Sequence, residues 1–132
     1  MAVQVPRKAT LTEYQAFIHR PENSERLFEF VTGEIVEIPL SAYASSIATK
    51  IIMYIGIYLR SHQRDHHITG AGGGYFVGND VYGPNVGVIS AKRQPNLPKI
   101  GFNPISPDLA VEIIVDSTDT IETRTLRRKL DN

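Results

Sequence analysis

The apolar positions change their period several times along the chain, and each change predicts a new element of secondary structure. A spacing of three to four residues predicts helices at 13–18, from Ser41 to about Arg64, and over the last residues up to Leu130. Alternating or continuous apolar runs predict strands at 26–31, 34–38, 68–77, 84–90 and 109–115. The order α-ββ-α-β-β-β-α indicates a single α+β or α/β domain.

Capping and turn residues predict where several of these elements begin. Thr10 or Thr12 can cap the first helix, Ser41 the second, and residues 116–120 the last. Thr32-Gly33 predicts a tight turn, so the first two strands are expected to pair as an antiparallel hairpin.

One carboxylate interrupts the strand predicted at 109–115, whose sequence is LAVEIIV. A continuous apolar run of this kind is typical of a strand that is covered on both faces. A charge inside such a run loses its hydration and needs a partner, a metal ion or a proton. Glu112 is therefore the first candidate for chemistry.

Composition narrows the class of protein. The chain has 132 residues, of which 42% are apolar and 21% charged, and its formal net charge is zero. This suits a globular domain without a global attraction for nucleic acid. The absence of cysteine excludes disulfides, zinc–thiolate sites and thiol catalysis. The N-terminus lacks the apolar core of a signal peptide, and no apolar stretch approaches the ~18 residues of a membrane span, so a cytoplasmic location is expected.

Two conspicuous motifs are better explained by structure than by chemistry. The glycine run at 70–74 lacks the Lys-Ser/Thr of a phosphate loop and precedes a strand, so a bend or bulge is the better interpretation. His62, His66 and His67 are close in sequence, but no further ligand is spaced to complete a metal site. A solvated helix end explains these histidines.

Asn85 is a better candidate than Asp108 for a partner of Glu112. Asp108 lies four residues earlier, about 13 Å away along a strand at ~3.3 Å per residue, so we expect it to begin the strand. Asn85 lies in the strand predicted at 84–90, and an amide oxygen can bind a hard cation if the two strands are neighbours. A turn asparagine after Pro84 is an equally good interpretation.

Lys129 lies on the last predicted helix, close to Arg124, Arg127 and Arg128. A lysine near a metal-bound phosphate can orient the attacking water and stabilise developing charge. The four basic residues could together contact a nucleic-acid backbone. A solvated basic face explains the same residues without any chemistry.

Four segments, in order along the chain, resemble the Uma-type putative restriction endonuclease family of the PD-(D/E)XK nuclease superfamily. EFVTGEIVE at 29–37 resembles the family's YELIDGELVE hairpin, and YGPNVGVIS at 82–90 lies where the family has PDVAFVS. PDLAVEII at 107–114 resembles PDLVVEVLS, and LRRKL at 126–130 is similar to the family's helix that carries a lysine. The resemblance extends from about Leu11 to the end of the chain.

The resemblance implies a restriction-endonuclease-like fold, with a mixed central sheet flanked by helices, and hydrolysis of phosphodiester bonds in nucleic acid, with DNA the expected substrate. It implies a Mg²⁺ or Mn²⁺ site in which Glu112 and Asn85 occupy the ligand positions. Lys129 matches the family's helix lysine, whereas the wider superfamily has its lysine at the position of Ile114. Glu29 is expected to approach the site from the hairpin.

Two departures from the family pattern count against an active nuclease. Asn85 stands where the family has an aspartate, which removes one anionic ligand from the site. Residues 1–132 are expected to form a single nuclease-like domain that lacks the family's C-terminal strand segment, and an open sheet edge favours a homodimer. The alternative expectation is a catalytically inactive, nuclease-like binding or assembly module.

Overall fold

The computed structural model describes residues 8–116 and 120–130, and it confirms the α+β class. The helices are α1 (Leu11–Ile18), α2 (Ala42–Ser61) and α3 (Thr120–Leu130), with a short 3₁₀ helix at Pro21–Asn23. The strands are β1 (Phe28–Val31), β2 (Glu34–Glu37), β3 (His66–Thr69), β4 (Tyr75–Val77), β5 (Asp80–Tyr82), β6 (Val86–Ser90) and β7 (Leu109–Val111). The predicted cap of the last helix lies largely outside the described residues.

The described strands form two antiparallel sheets, where the sequence predicts one mixed sheet. One sheet has four strands in the order β2-β1-β5-β4, and the other has three in the order β3-β6-β7. The strand predicted at 68–77 divides at its glycines into β3 and β4, which belong to different sheets. A Cβ at Gly74 would lie 2.4 Å from a ring carbon of Phe102, so this glycine permits close packing. The bend predicted for the glycine run is thus observed.

Local sequence signals predict the ends of α1 and α2 well. The Thr10 hydroxyl accepts a hydrogen bond from the Glu13 N–H, and the Glu13 carboxylate accepts one from the Thr10 N–H, which is a complete capping box. The Ser41 hydroxyl caps α2 by accepting from the Ala44 N–H. These caps satisfy backbone donors that the helices themselves leave unpaired.

Each sheet packs against one helix and has its own apolar cluster. Tyr14 of α1 packs with Phe30 and Val81 of the four-stranded sheet, and its hydroxyl donates to the Phe28 carbonyl at 2.7 Å. Ala48 of α2 packs with Val86 and Val88 of the three-stranded sheet. The fold therefore consists of two helix-on-sheet layers.

Helix α2 is unusually apolar for a helix with one face on a sheet. Judged by length and composition alone, it is the one described helix that could cross a membrane, with a mean hydropathy of 1.3 over its most apolar part. The expectation that no apolar stretch approaches the length of a membrane span is therefore wrong for α2. Only 11% of that part is buried. Its apolar character therefore exceeds what the contact with the three-stranded sheet requires.

The expectation that residues 109–115 form a strand covered on both faces is wrong. β7 ends at Val111 and pairs only with β6 among the described strands, and Leu109 remains 48% exposed. The backbone leaves the ladder at Glu112, because residues 112–114 have no strand partner in the described part of the chain. Glu112 thus lies just beyond an edge strand and not inside a buried one.

The turn of the β1–β2 hairpin combines a favourable residue with an unfavourable one. Thr32 and Gly33 both have positive φ, +48° and +83°, as the two central residues of a type I′ turn require. Glycine adopts this conformation without cost, whereas a β-branched residue is strained there. Thr32 therefore stores strain at the tip of the hairpin.

We predict that Thr32→Asn stabilises the protein by about 1 kcal/mol, because asparagine tolerates positive φ and Asn-Gly is a preferred type I′ pair. The Thr32 hydroxyl contributes little, since Arg128 reaches it only at 3.5 Å and also pairs with Glu34 at 2.9 Å. Urea denaturation would measure the gain. Gly33→Ala is the matched control and should destabilise; a loss of stability in Thr32→Asn would contradict the strain argument.

Candidate functional site

The side chains of Glu29, Glu112 and Lys129 meet in one buried ion cluster, which we call the carboxylate–lysine cluster. The Lys129 Nζ lies 2.6 Å from Glu29 Oε2 and 2.8 Å from Glu112 Oε1. The side chains of Glu29, Lys129 and Glu112 are 6%, 9% and 24% exposed. β1 supplies Glu29, the segment after β7 supplies Glu112, and α3 supplies Lys129.

Backbone and aromatic groups hold the cluster in place. The Gly83 N–H donates to Glu29 Oε2 at 2.8 Å, so this oxygen receives two hydrogen bonds. The ring of Tyr82 lies under the ammonium, with Nζ 5.5 Å from its centroid, which adds a cation–π attraction. The Tyr82 hydroxyl in turn donates to Asp80, whose other oxygen accepts the Thr32 N–H. The lysine is therefore fixed from three sides.

Burial and charge act in opposite directions on Glu112. Burial raises the pKa of this carboxyl above its usual value, and the charge of Glu29 adds to the rise. The ammonium and hydrogen bond of Lys129 oppose that rise in pKa. Lys129 therefore keeps two carboxylates compatible in a space from which water is partly excluded.

A pocket of about 550 Å³ opens onto the cluster and contains further residues predicted from sequence. Asn85 lines it together with Glu29, Glu112 and Lys129. Thr125 of α3 also lines it, and its buried hydroxyl has no hydrogen-bond partner among the described residues. The pocket thus exposes two carboxylates, an amide, an ammonium and a hydroxyl to one volume.

Asn85 lies against the segment that carries Glu112. Its Oδ1 accepts the Ile113 N–H at 2.8 Å, which connects the start of β6 to the residue after the glutamate. A carbonyl oxygen has a second lone pair that this bond leaves available. The structure thus meets the condition set in the sequence analysis, that the two segments are neighbours, and one lone pair of the amide oxygen is used in holding them together.

The spacing of the two carboxylates is on the scale of a cation site. Glu29 Oε2 and Glu112 Oε1 both contact Nζ, so the two oxygens are no more than 5.4 Å apart. Two ligand oxygens around a divalent cation, each at ~2.1–2.5 Å, lie within about 5 Å of each other. No group of three or more histidine, aspartate or glutamate side chains within residues 8–116 and 120–130 could hold a metal ion. A divalent ion here would need Asn85, water or phosphate as additional ligands.

The other sequence candidates lie outside this site. The Asp108 carboxylate accepts the Ser90 N–H and pairs with Arg93, and these contacts hold its pKa below the usual range. It closes the start of β7, as expected for a strand-entry residue. His62 ends α2 and contacts the Tyr58 carbonyl, as expected for a helix end. The same interpretation is wrong for His66 and His67, which lie in the partly buried strand β3; His67 contacts the Gln94 carbonyl, and His66 Nδ1 has no hydrogen-bond partner among the described residues.

The basic residues of α3 divide between two roles. Lys129 belongs to the carboxylate–lysine cluster, and Arg128 pairs with Glu34 of the hairpin at 2.9 Å. Arg124 and Arg127 are exposed. Of these four residues, Arg124 and Arg127 are therefore the two whose side chains are accessible to a nucleic-acid backbone.

Sequence reasoning missed Tyr82, Gly83 and Asp80, which support Lys129 and Glu29 from β5 and the residue after it. Asp80 could have indicated these residues from sequence, because it is an acidic residue at the start of a short buried strand. Glu29 was expected to approach the site, and it lies in β1, where Phe30 and Val31 are buried as well.

Comparison with known proteins identifies the family. The family model described as "Uma2: Putative restriction endonuclease" matches residues 11–130. The chain belongs to this family. Membership supports a nuclease and agrees with the resemblance inferred from the four segments.

A solved structure shows that the fold is shared beyond clear sequence similarity. It is described as a putative nuclease belonging to DUF820 from Anabaena variabilis ATCC 29413, and it has 22% sequence identity and a TM-score of 0.63. The match covers 89% of this chain and 66% of that one, so the Uma2 chain spans somewhat less than two thirds of the neighbour. A search of curated proteins found no match.

We predict that Lys129→Met destabilises the protein by roughly 3–5 kcal/mol at pH 7, because it leaves two buried carboxylates without a cation. Since the pKa of Glu112 is already raised in the folded state, ionising this group opposes folding. The deficit should therefore shrink as the pH falls through that raised pKa and Glu112 takes up a proton.

Denaturation at several pH values, in buffer with a chelator, would measure this effect. Lys92→Met removes an exposed lysine and serves as the control, with no change expected. A deficit that is small, or that grows on acidification, would show that Lys129 does not neutralise the two carboxylates.

Proposed function

We propose that this Uma2 protein is an endonuclease that hydrolyses phosphodiester bonds in nucleic acid with a divalent cation, Mg²⁺ or Mn²⁺. The observation that carries the proposal is the convergence of Glu29, Glu112 and Lys129 in an open pocket. Membership of the Uma2 family supports the same chemistry, since nucleases of this type generally use a divalent metal and act on nucleic acid.

The resemblance implies Glu112 and Asn85 as metal ligands, and we propose Glu29, which is expected at the site from the hairpin, as a third. In support, all three line the same pocket, and both carboxylates contact the same ammonium. Carboxylate and amide oxygens are the donors that Mg²⁺ and Mn²⁺ prefer. When bound, such an ion supplies a Lewis acid and a source of nucleophilic water.

Lys129 is proposed to act through its ammonium, which lies between the two carboxylates. If Glu29 and Glu112 held a divalent ion, the ammonium would no longer be needed to neutralise them and would be available within the pocket. There it can contact a phosphate oxygen or position water, as a preorganised cation at the reacting group. Thr125 can donate a hydrogen bond in the same volume.

The second candidate function is a catalytically inactive, nuclease-like module for binding or assembly. Two observations favour it. Asn85 supplies a neutral oxygen and already accepts the Ile113 N–H, so the site has one anionic ligand fewer than the family pattern. The Lys129 ammonium also contacts both carboxylates and offsets part of their charge. Binding of nucleic acid would then depend on exposed basic residues such as Arg124 and Arg127.

The proposal extends to the partners and the location of the protein. The substrate is proposed to be DNA, the compartment the cytoplasm, and the assembly a homodimer of single nuclease-like domains. The exposed edge strand β7 supports association, because an unpaired edge exposes backbone groups to a further chain.

We predict that the protein nicks supercoiled plasmid DNA in the presence of Mg²⁺ or Mn²⁺, and that Glu112→Gln reduces the rate at least about 100-fold, the scale on which an electrostatic catalytic group acts. Calorimetric titration with Mn²⁺ should show at least about tenfold weaker binding to Glu112→Gln, or roughly 1.4 kcal/mol.

Glu37→Gln is the matched control, because Glu37 lines the same pocket but is held by Arg26 at 2.6 Å. It should leave Mn²⁺ affinity and cleavage unchanged. Equal Mn²⁺ affinity in the wild type and Glu112→Gln would exclude Glu112 as a metal ligand. Binding of Mn²⁺ without cleavage of either DNA or RNA would favour the inactive module.

We predict that Asn85→Asp strengthens Mn²⁺ binding by about tenfold. The new carboxylate adds a negative charge beside Glu29 and Glu112 in a partly buried site, and this charge attracts the cation. The substitution retains an oxygen that can accept the Ile113 N–H, so little loss of stability is expected. The same calorimetric titration measures the gain. An unchanged affinity would show that the residue at position 85 does not face the ion.

A further inference from the structure

The outer face of α2 has large apolar side chains that no described residue covers. Tyr43, Met53, Tyr54, Ile57 and Tyr58 are each between 51% and 67% exposed. They lie apart from the side of α2 that packs on the three-stranded sheet through Ala48, Ile51, Ile55 and Leu59. Contiguous exposed apolar surface of this kind marks an interaction site.

The spacing on this outer face is that of a helix–helix seam. Tyr43, Ile47, Lys50, Tyr54, Ile57 and Ser61 follow one another at intervals of four, three, four, three and four residues. This alternation is the heptad spacing with which two helices pack side by side, whereas the contact with the sheet uses a different set of positions. We call these six residues the α2 seam.

The charges of α2 restrict what can cover the seam. The helix contains no acidic residue, and its basic residues are Lys50 and Arg60, of which only Lys50 lies on the seam. A single lysine at a seam position is a feature that specifies register and orientation between paired helices. A partner must therefore place something favourable to an ammonium opposite the middle of the seam.

We infer that the α2 seam pairs with the α2 seam of a second copy of this chain in antiparallel orientation. A parallel pair would place Lys50 against Lys50 of the second copy, which is repulsive. An antiparallel pair about a twofold axis near Ile52 places Lys50 opposite Tyr54 of the second copy and Ile47 opposite Ile57 of the second copy. Both ammonium groups then lie on aromatic rings, which attract cations. The interface is the same patch on both copies, as twofold symmetry requires.

The exposed apolar area of the outer face of α2, which comprises the seam with Met53 and Tyr58 beside it, is that of a modest but specific dimer. Three tyrosines of about 150–250 Å² each, at the exposures given above, offer roughly 300–480 Å² per copy. Met53 and Ile57 add to this, which brings the total for two copies to about 1,000 Å², near the lower limit of specific interfaces. We therefore expect dissociation in the micromolar range.

This inference rests on the homodimer part of the proposed function and is independent of the carboxylate–lysine cluster. Its failure can be told apart from failure of the nuclease proposal by measuring mass and DNA cleavage on the same samples. A monomer that cleaves DNA would overturn the seam and leave the nuclease. A dimer that does not cleave would leave the seam and overturn the nuclease.

Sedimentation velocity of the full chain from about 1 to 200 μM, without detergent, should show a reversible monomer–dimer equilibrium. Tyr54→Glu and Ile57→Glu should each weaken it at least tenfold, because a carboxylate is placed in the apolar seam. Ile100→Glu changes a 92% exposed residue of a loop and is the matched control, with no expected effect. Circular dichroism and thermal melts would show that all variants are folded.

A charge exchange tests the register. Lys50→Glu and Tyr54→Lys should each fail to dimerise alone, the first by placing carboxylates on rings and the second by placing ammonium groups together. Mixed in equal amounts they should form a heterodimer. The new glutamate of the first variant then lies opposite the new lysine of the second, and Lys50 of the second variant lies opposite Tyr54 of the first. A mixture that stays monomeric overturns the antiparallel register.

Three further results would overturn the seam itself. They are a wild type that is monomeric at 200 μM, a dimer that persists in Tyr54→Glu and Ile57→Glu, and a monomer that binds phospholipid vesicles through α2. The last is measured by co-sedimentation with vesicles of phosphatidylcholine and phosphatidylglycerol. It would assign the apolar face to a membrane surface instead of a second copy.

Discussion

One ammonium group between two buried carboxylates holds the functional end of this protein together. Lys129 joins Glu29 of the four-stranded sheet to Glu112 at the end of the three-stranded sheet. The two sheets share no strand ladder among the described residues, so this ion cluster is a direct tie between them. Arg128, one residue earlier, pairs with Glu34 and fastens α3 to the hairpin as well. The position of α3 and the arrangement of the site therefore depend on the same contacts.

The arrangement also explains why the site is both stable and suited to cations. Two carboxylates in a partly dry pocket repel each other and lose hydration, which raises the pKa of Glu112. A single positive charge offsets part of this cost but leaves the three groups with a net negative charge. In the proposed function, a divalent ion would neutralise the pair more fully than an ammonium does. Asn85 would limit the affinity for such an ion, because it adds an oxygen without a charge.

Sequence periodicity predicted α1, α2 and the hairpin because caps, heptad-like spacing and turn residues act over a few positions. Glu112 was identified correctly as an unusually placed charge. The reason inferred from sequence, loss of hydration inside a strand covered on both faces, is only partly right. The burial of Glu112 arises from the pocket and from Lys129, not from a strand covered on both faces. The partners of Lys129 are 17 and 100 residues away, and no local pattern reports such contacts. The division into two sheets was missed for the same reason, since strand pairing is decided by tertiary packing.

The mean hydropathy of α2 does not show on which sides of the helix its apolar residues lie. This mean hydropathy is high because apolar residues occupy two stripes, one against the sheet and one on the outside. An average of hydropathy along the helix combines both stripes and indicates only that the helix is apolar. The structure shows that the two stripes lie on different sides. The inner stripe is accounted for by β3 and β6. The outer stripe has the seam spacing, one central lysine and no acid, which together favour an identical helix over a lipid surface, because hydrocarbon offers no partner to Lys50 at the middle of its length.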